Sequence, residues 1–334
     1  MDEQRVVGGI ESTGLPETNI HALHAAFREA EPFPHVVLER EQVEQVLGIE
    51  LLHQLASDFP AFEPEHARDD YGNINGKAVH TKIRKLGSAY CELDAIVQSQ
   101  EFLDLISRIT GIPFLLYDPE YVGGGTHENL TGTELNYHID FNYHPARKWH
   151  RRLNLILFLN EHWDPSWGGV LQLHRNAWED SGAPDAEVVP AFGRAVIFET
   201  SERSWHGFEA VTEAPDGGVL SRRSIALYFY TEERPLDEVF PEHGTHYTGR
   251  PLPDWCRPGN ELTSGQIDLL KEMLDERDVG LRFLYSRELQ WSGQLGELRD
   301  KAHSLERRIS ALEASRAYRI GRLMTAPVRF LRRK

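Results

Sequence analysis

The spacing of apolar positions along this chain changes character three times. Over residues 41–59, Val43, Val46, Leu47, Leu51, Leu52 and Leu55 recur every three or four positions, which predicts a helix. A second helix is predicted over 96–109, stopped by Gly111 and Pro113. Ahead of these, residues 1–30 are polar and read as loosely structured, and Pro32-Phe33-Pro34-His35-Val36-Val37-Leu38 reads as a short extended entry. Between 114 and 231, short β-rich runs alternate with turn signals, at 153–159, 169–173, 195–200 and 224–231. That texture predicts a sandwich or jelly roll, mainly β, with flanking helices. From Ile267 to Leu312 apolar residues return on a 3-4 spacing broken only at Arg277 and Glu288. About six such heptads predict a coiled coil, or a helical hairpin, weakened by Gly280, Gly293 and Gly296.

These shifts divide the chain into a polar segment 1–30, a jelly-roll domain 31–258, a helical region 259–315 and a basic amphipathic tail 316–334. Charge sharpens the division. Residues 299–334 hold eleven Lys/Arg against three Asp/Glu, a net +8 within a chain of net −16. The body is therefore strongly acidic and unsuited to a phosphate backbone, so nucleic acid is not an expected partner. The tail mixes basic and apolar residues and fits peripheral contact with an anionic membrane surface. The long helix fits a homodimer. Two cysteines, Cys91 and Cys256, give no disulfide framework, and the charged start lacks a signal-peptide core. The expected location is cytoplasmic, with possible attachment to the inner face of the membrane through the tail.

The chemistry centres on Leu135-Asn136-Tyr137-His138-Ile139-Asp140-Phe141. On a strand, His138 and Asp140 emerge on one face. His206 follows in Ser204-Trp205-His206-Gly207, read as a turn after a strong strand. Two imidazoles and one carboxylate form a set that leaves positions open on a divalent metal. In Ser221-Arg222-Arg223-Ser224, alternation puts Arg222 and Ser224 on one face and Arg223 on the other. An arginine inside a barrel needs an anion, and a carboxylate suits it. His144, His150, His162 and His174 read as loop or rim residues. Tyr121 and the turn Gly123-Gly124-Gly125 read either as a border of the pocket mouth or as an ordinary turn.

Over about 33–231 the chain resembles the Fe(II)/2-oxoglutarate-dependent dioxygenases of the prolyl 4-hydroxylase-like group. The matching pieces are His138-Ile139-Asp140, Arg151-Arg152-Leu153-Asn154 through Phe158-Leu159-Asn160, Trp167-Gly168-Gly169, Phe192-Gly193-Arg194, Ser204-Trp205-His206-Gly207 and Arg222-Arg223-Ser224. The resemblance implies a double-stranded β-helix with His138, Asp140 and His206 as iron ligands. It implies that Arg222 binds the far carboxylate of 2-oxoglutarate with help from Ser224, and that Fe(II), 2-oxoglutarate, dioxygen and ascorbate take part. Asn154 is expected against the keto acid's carboxylate, and Tyr121 beside the co-substrate. One position departs: many relatives carry a tyrosine where this chain has Phe158, so Ser224, Tyr121 or Tyr228 is expected to supply the missing hydroxyl.

The implied reaction hydroxylates an unactivated C–H bond and releases succinate and carbon dioxide. The substrate is a small molecule, a glycan or a peptide. A sugar or glycan intermediate is suggested by the tail from Leu312, which is similar to the ends of bacterial surface-polysaccharide enzymes. A peptidyl proline is the alternative substrate. A catalytically silent jelly-roll binding module and a zinc hydrolase are the competing classes. Replacing Asp140 with Ala is expected to abolish turnover and leave the fold intact.

Overall fold

Two antiparallel sheets face each other, and the chain passes from one to the other almost strand by strand. The computed structural model describes residues 14–67, 77–178, 183–248, 252–253 and 255–320. It comprises two units, 1–248 and 249–334.

The first unit opens with α1 (Glu17–Glu29), β1 (His35–Leu38), α2 (Arg40–Leu47), α3 (Ile49–Ser57), β2 (Lys77–His80), α4 (Ser88–Val97), α5 (Gln100–Thr110) and β3 (Leu116–Tyr117). Eight strands follow: β4 (Gly125–Leu130), β5 (Leu135–Ile139), β6 (His150–Phe158), β7 (Leu171–His174), β8 (Ala186–Val188), β9 (Ala195–Glu199), β10 (Trp205–Phe208) and β11 (Ser221–Thr231). A two-residue strand, β12 (His246–Tyr247), closes the unit. The larger sheet runs β1-β9-β6-β11-β4-β2, with β3 beside β11; the smaller runs β12-β5-β10-β7-β8. The core strands thus interleave as β9-β6-β11-β4 against β5-β10-β7-β8, which is the double-stranded β-helix the sequence led us to expect.

Alternation sets the two faces of the larger sheet. Leu153, Leu155, Leu157, Ile225, Leu227 and Phe229 point outward and are buried with helix residues such as Leu52, Leu55, Leu93 and Ile106. Phe158, Val196 and Phe198 point inward and pack with Leu171, Leu173 and Val188 of the smaller sheet. Register partners share a face, so the inner face can be read in rows. Lys77, Asn129 and Arg222 form one row across β2, β4 and β11. Val79, His127, Ser224 and Phe158 form the next.

The helices differ from the periodic reading in three places. Residues 17–29 are helical rather than loose, because Ile20, Leu23 and Phe27 dock into the core. The stretch 41–59 is two helices, since Gly48 takes φ 82° and ψ 144°, a backbone geometry that ends α2 and begins α3. The stretch 96–109 likewise straddles two helices, because the Ser99 side chain caps α5 by accepting the N–H of Phe102.

In the second unit α6 (Ser264–Ala314) is one unbroken helix of 51 residues, started by a Thr263–Gln266 capping box. It is not a hairpin. Leu274, Leu281, Leu284, Trp291, Leu295, Leu298, Leu305, Ile309 and Leu312 are all exposed along it. Among the described residues no helix is long and apolar enough to cross a membrane. Most of the tail, 321–334, and residues 1–13 lie outside the described residues.

Candidate active site

The smaller sheet brings the triad together. His138 is the fourth residue of β5, and Asp140 lies one residue past that strand's end. His206 is not on a turn; it is the second residue of β10 and stands directly opposite His138 in the ladder. The two rings lie 4.2 Å apart between centroids. His138 Nε2 is 3.8 Å from Asp140 Oδ1, and His206 Nε2 is 3.6 Å from Asp140 Oδ2. These atoms all lie within 4.8 Å of one another, close enough to share an ion.

Hydrogen bonding fixes which ring nitrogens are free. His138 Nδ1 lies 2.9 Å from Asn136 O, and His206 Nδ1 lies 2.8 Å from Ser204 O. A carbonyl only accepts, so each Nδ1 carries the proton and each Nε2 keeps its lone pair. Burial, with the neighbouring His206, pulls His138 down to about 3 against the opposing pull of Asp140. Burial lowers His206 as well. Burial alone would raise Asp140, but Arg151, the two histidines and Asn154 outweigh it and hold the carboxyl below its ordinary range. Two neutral imidazoles and a carboxylate are the protonation states a divalent metal needs.

A second cluster, Asp118, Glu120 and His144, shows the opposite chemistry. His144 is fully buried rather than on a loop rim, and its Nδ1 accepts the N–H groups of Ala146 and Arg147. The neutral ring must therefore carry its proton on Nε2, which lies 3.4 Å from both Asp118 Oδ1 and Glu120 Oε2. It is a donor there, with no lone pair to offer a cation. His174 is also buried, with its ring 4.1 Å from that of Tyr137. His150 is half-buried at the start of β6, and His162 is exposed.

Arg222 points between the sheets, and Arg223 points the other way, to Glu128 and the Phe59 ring. Arg222 Nε donates to Gly169 O at 2.6 Å, and its guanidinium lies over the rings of Phe208 and Phe158 at 4.2 and 5.2 Å. Gly169 takes φ +64°, and a Cβ there would meet Arg222 Cδ at 2.9 Å, so this glycine makes room for the side chain. No carboxylate pairs with Arg222 among the described residues, and burial alone draws its guanidinium down to about 9. It stays a cation at neutral pH, held in a dry place without a counter-ion. Ser224 is buried one row along, between His127 and Phe158.

Three expected contacts are placed elsewhere. Tyr121 is buried on the helical side, where its hydroxyl donates to Asp94 Oδ1 at 2.9 Å. The Tyr228 hydroxyl donates to Gly123 O at 2.9 Å, so neither tyrosine offers a hydroxyl in place of the one missing at Phe158. Asn154 does not await a ligand: its Nδ2 donates to Asp140 Oδ2 at 2.7 Å, and its Oδ1 accepts from Arg151 at 2.7 and 3.0 Å.

Two residues escaped the sequence reading. Arg151 is fully buried, 3.2 Å from Asp140 Oδ2, between the rings of Tyr228 and Phe141 at 3.6 and 4.4 Å. Strict alternation puts Arg152, not Arg151, on the face of Asn154. A register shift between Phe229 and Tyr230 pairs Leu153 with Phe229 and Arg151 with Tyr230, leaving Arg152 as the extra residue of a bulge and turning Arg151 inward. Asn129 is the other. It adjoins Arg222 in the inner row, and its buried Nδ2 has no hydrogen-bond partner among the described residues.

Comparison with known proteins agrees with this geometry. The sequence profile of the 2OG-Fe(II) oxygenase superfamily matches residues 125–230, which span β4 to β11 and include His138, Asp140, His206 and Arg222. No curated protein sequence matches the chain. Solved structures with a similar chain trace include a prolyl hydroxylase from Trichoplax adhaerens in complex with a hypoxia inducible factor peptide fragment. It is 16% identical, covering 64% of this chain and 91% of that one, at a TM-score of 0.42. A prolyl-4-hydroxylase from Pseudomonas putida is 18% identical over 63% and 98%, at 0.38. HygX from Streptomyces hygroscopicus, with nickel, 2-oxoglutarate and hygromycin B bound, is 12% identical over 70% and 97%, at 0.42. The profile match covers β4 to β11, so it is the eight-stranded core whose sequence is similar to the 2OG-Fe(II) oxygenase superfamily.

Proposed function

We propose that this chain is a 2OG-Fe(II) oxygenase, a hydroxylase that inserts oxygen into an unactivated C–H bond, with His138, Asp140 and His206 as its metal ligands and Arg222 as the anchor of 2-oxoglutarate. The observation that carries the reading is Arg222, a buried cation without a carboxylate partner among the described residues, in the same inter-sheet space as two histidines whose Nε2 lone pairs are free. A buried guanidinium is costly unless an anion meets it, and the far carboxylate of 2-oxoglutarate fits its fork. Fe(II), when bound, supplies the activation of dioxygen and the oxidising power. The chain itself supplies the ligands, the anchor and a dry wall of Phe158, Phe198 and Phe208. The carboxylate at Asp140 favours hydroxylation over halide transfer.

For substrate we favour a sugar or glycan intermediate over a peptidyl proline. Tyr247 stacks on the His138 ring at 5.0 Å, and Trp178 stands exposed against Trp205 and His246. Such flat apolar faces at the mouth suit a ring-shaped substrate. We further propose ascorbate support of turnover, pairing of α6 with a second copy of this chain, and cytoplasmic residence with peripheral membrane contact through 316–334.

A screen for succinate release over nucleotide sugars and proline peptides, with Fe(II) or Zn(II) supplied anaerobically before oxygen, tests the reading. Succinate formed only with Fe(II) and 2-oxoglutarate is expected, and a nucleotide sugar is expected to stimulate it above any peptide. A chain that binds no 2-oxoglutarate under any metal condition is a silent module, and one active with Zn(II) alone is a hydrolase; either overturns the proposal.

A further inference from the structure

We propose that Arg151 is a positioning residue that keeps the Asp140 carboxylate single-toothed towards a metal, and so holds open a coordination position. The inference rests on the functional reading above and concerns how the site is held. The hydrogen-bond donor and the cation that meet this carboxylate both fall on the same oxygen. Asn154 Nδ2 lies 2.7 Å and the Arg151 guanidinium 3.2 Å from Oδ2. Oδ1 has no hydrogen-bond donor among the described residues and lies 3.8 Å from His138 Nε2. An oxygen that already accepts an amide hydrogen bond and is paired with a guanidinium is a poor metal donor, so Oδ1 is the atom left for the ion.

Denticity matters because an octahedral ion has six positions. Held by His138, His206 and one carboxylate oxygen of Asp140, such an ion would keep three positions for co-substrates. A carboxylate that closed with both oxygens would take one of them.

Several features make Arg151 suited to this task. The bulge at Arg152 turns it inward. Tyr228 and Phe141 flank its guanidinium, and the Tyr228 hydroxyl is tied to Gly123 O. Its Nε and Nη2 both donate to Asn154 Oδ1, so the planar fork fixes the amide that holds Asp140. A lysine would keep the charge but lose that fork.

The test uses the full chain carrying Arg151→Met or Arg151→Lys, loaded anaerobically with Co(II) or Fe(II). Thermal melting identifies folded variants; Arg151→Lys keeps the charge beside Asp140 and carries the test if Arg151→Met fails to fold. The visible spectrum of bound Co(II) reports coordination, and the charge-transfer band of Fe(II) with 2-oxoglutarate reports chelation. We expect Co(II) still to bind, with an altered spectrum, and 2-oxoglutarate affinity to fall about tenfold although Arg151 is not its anchor. Wild-type spectra and wild-type 2-oxoglutarate affinity in a folded variant overturn the inference. So does loss of Co(II) binding, which would make Arg151 a builder of the site. If the wild-type chain binds Co(II) but not 2-oxoglutarate, the functional reading fails, and the Co(II) spectra alone still decide the role of Arg151.

Discussion

Arg151 and Asn154, three positions apart on β6, turn their polar ends to each other, with Asn154 Oδ1 accepting from Arg151 Nη2 at 2.7 Å. On an unbroken strand these two residues would face opposite sides of the sheet. The bulge at Arg152 reconciles them and delivers a buried arginine to the Asp140 carboxylate.

That arrangement argues against the expectation that Asp140→Ala leaves the fold intact. The substitution strands Arg151, fully buried, without its anion. We expect a loss of about 3–5 kcal/mol in urea denaturation, in addition to loss of turnover. Asp140→Ala combined with Arg151→Met should recover most of the stability and none of the activity. A single variant as stable as wild type would show that Arg151 finds another partner.

Arg222 should behave in the opposite way. Without a counter-ion, burial alone pulls it down, so its charge is a burden on the ligand-free fold. Arg222→Met should melt at or above the wild-type temperature. Adding 2-oxoglutarate with a divalent metal should stabilise wild type strongly and the variant little. Equal ligand-induced shifts would place the anchor elsewhere, and Arg223→Met serves as the control.

Asn129 is expected to take the part of the hydroxyl missing at Phe158. Its Nδ2 has no hydrogen-bond partner among the described residues, and the residue stands beside Arg222. Asn129→Ala should leave stability unchanged or higher, because a buried unpaired donor is removed. It should weaken 2-oxoglutarate about tenfold, while binding of 2-oxobutyrate, which lacks the far carboxylate, stays the same. Calorimetric titration of both keto acids decides it, with Ser224→Ala run alongside.

The pH dependence of stability should carry the signature of Asp94. Burial alone would raise this carboxyl, but hydrogen bonds from Arg84, Tyr117 and Tyr121 prevail and hold it below the ordinary range. A folded-state value below the unfolded one gives stability that is fully present above about pH 4. That stability is lost as pH falls through the folded value. Asp94→Asn should therefore be less stable than wild type at pH 7, with the gap closing below about pH 4 in urea denaturation. A gap independent of pH would assign the effect to packing.

Helix α6 leaves its 3-4 seam exposed along 51 residues, more than an isolated helix sustains by propensity alone with three internal glycines. Light scattering should report a dimer for the full chain and a monomer for Leu284→Glu combined with Leu295→Glu. A wild-type monomer would remove the proposed pairing.

Sequence by itself determined those features that local period and residue chemistry control. Alternation along β11 separated Arg222 from Arg223, and His138 with Asp140 was visible as a pair because the strand period of two puts them on one side. The heptad spacing marked out α6 to within a few residues. Tertiary structure alone decided what depends on partners distant in the chain. Helix α1 exists because Ile20, Leu23 and Phe27 find a core to enter, not because its own composition demands it. Arg151 joins the site through a bulge that shows only when β6 is paired with β11. The free lone pairs of His138 and His206, against the protonated Nε2 of His144, are set by which backbone group each Nδ1 meets, and that is a property of the folded backbone.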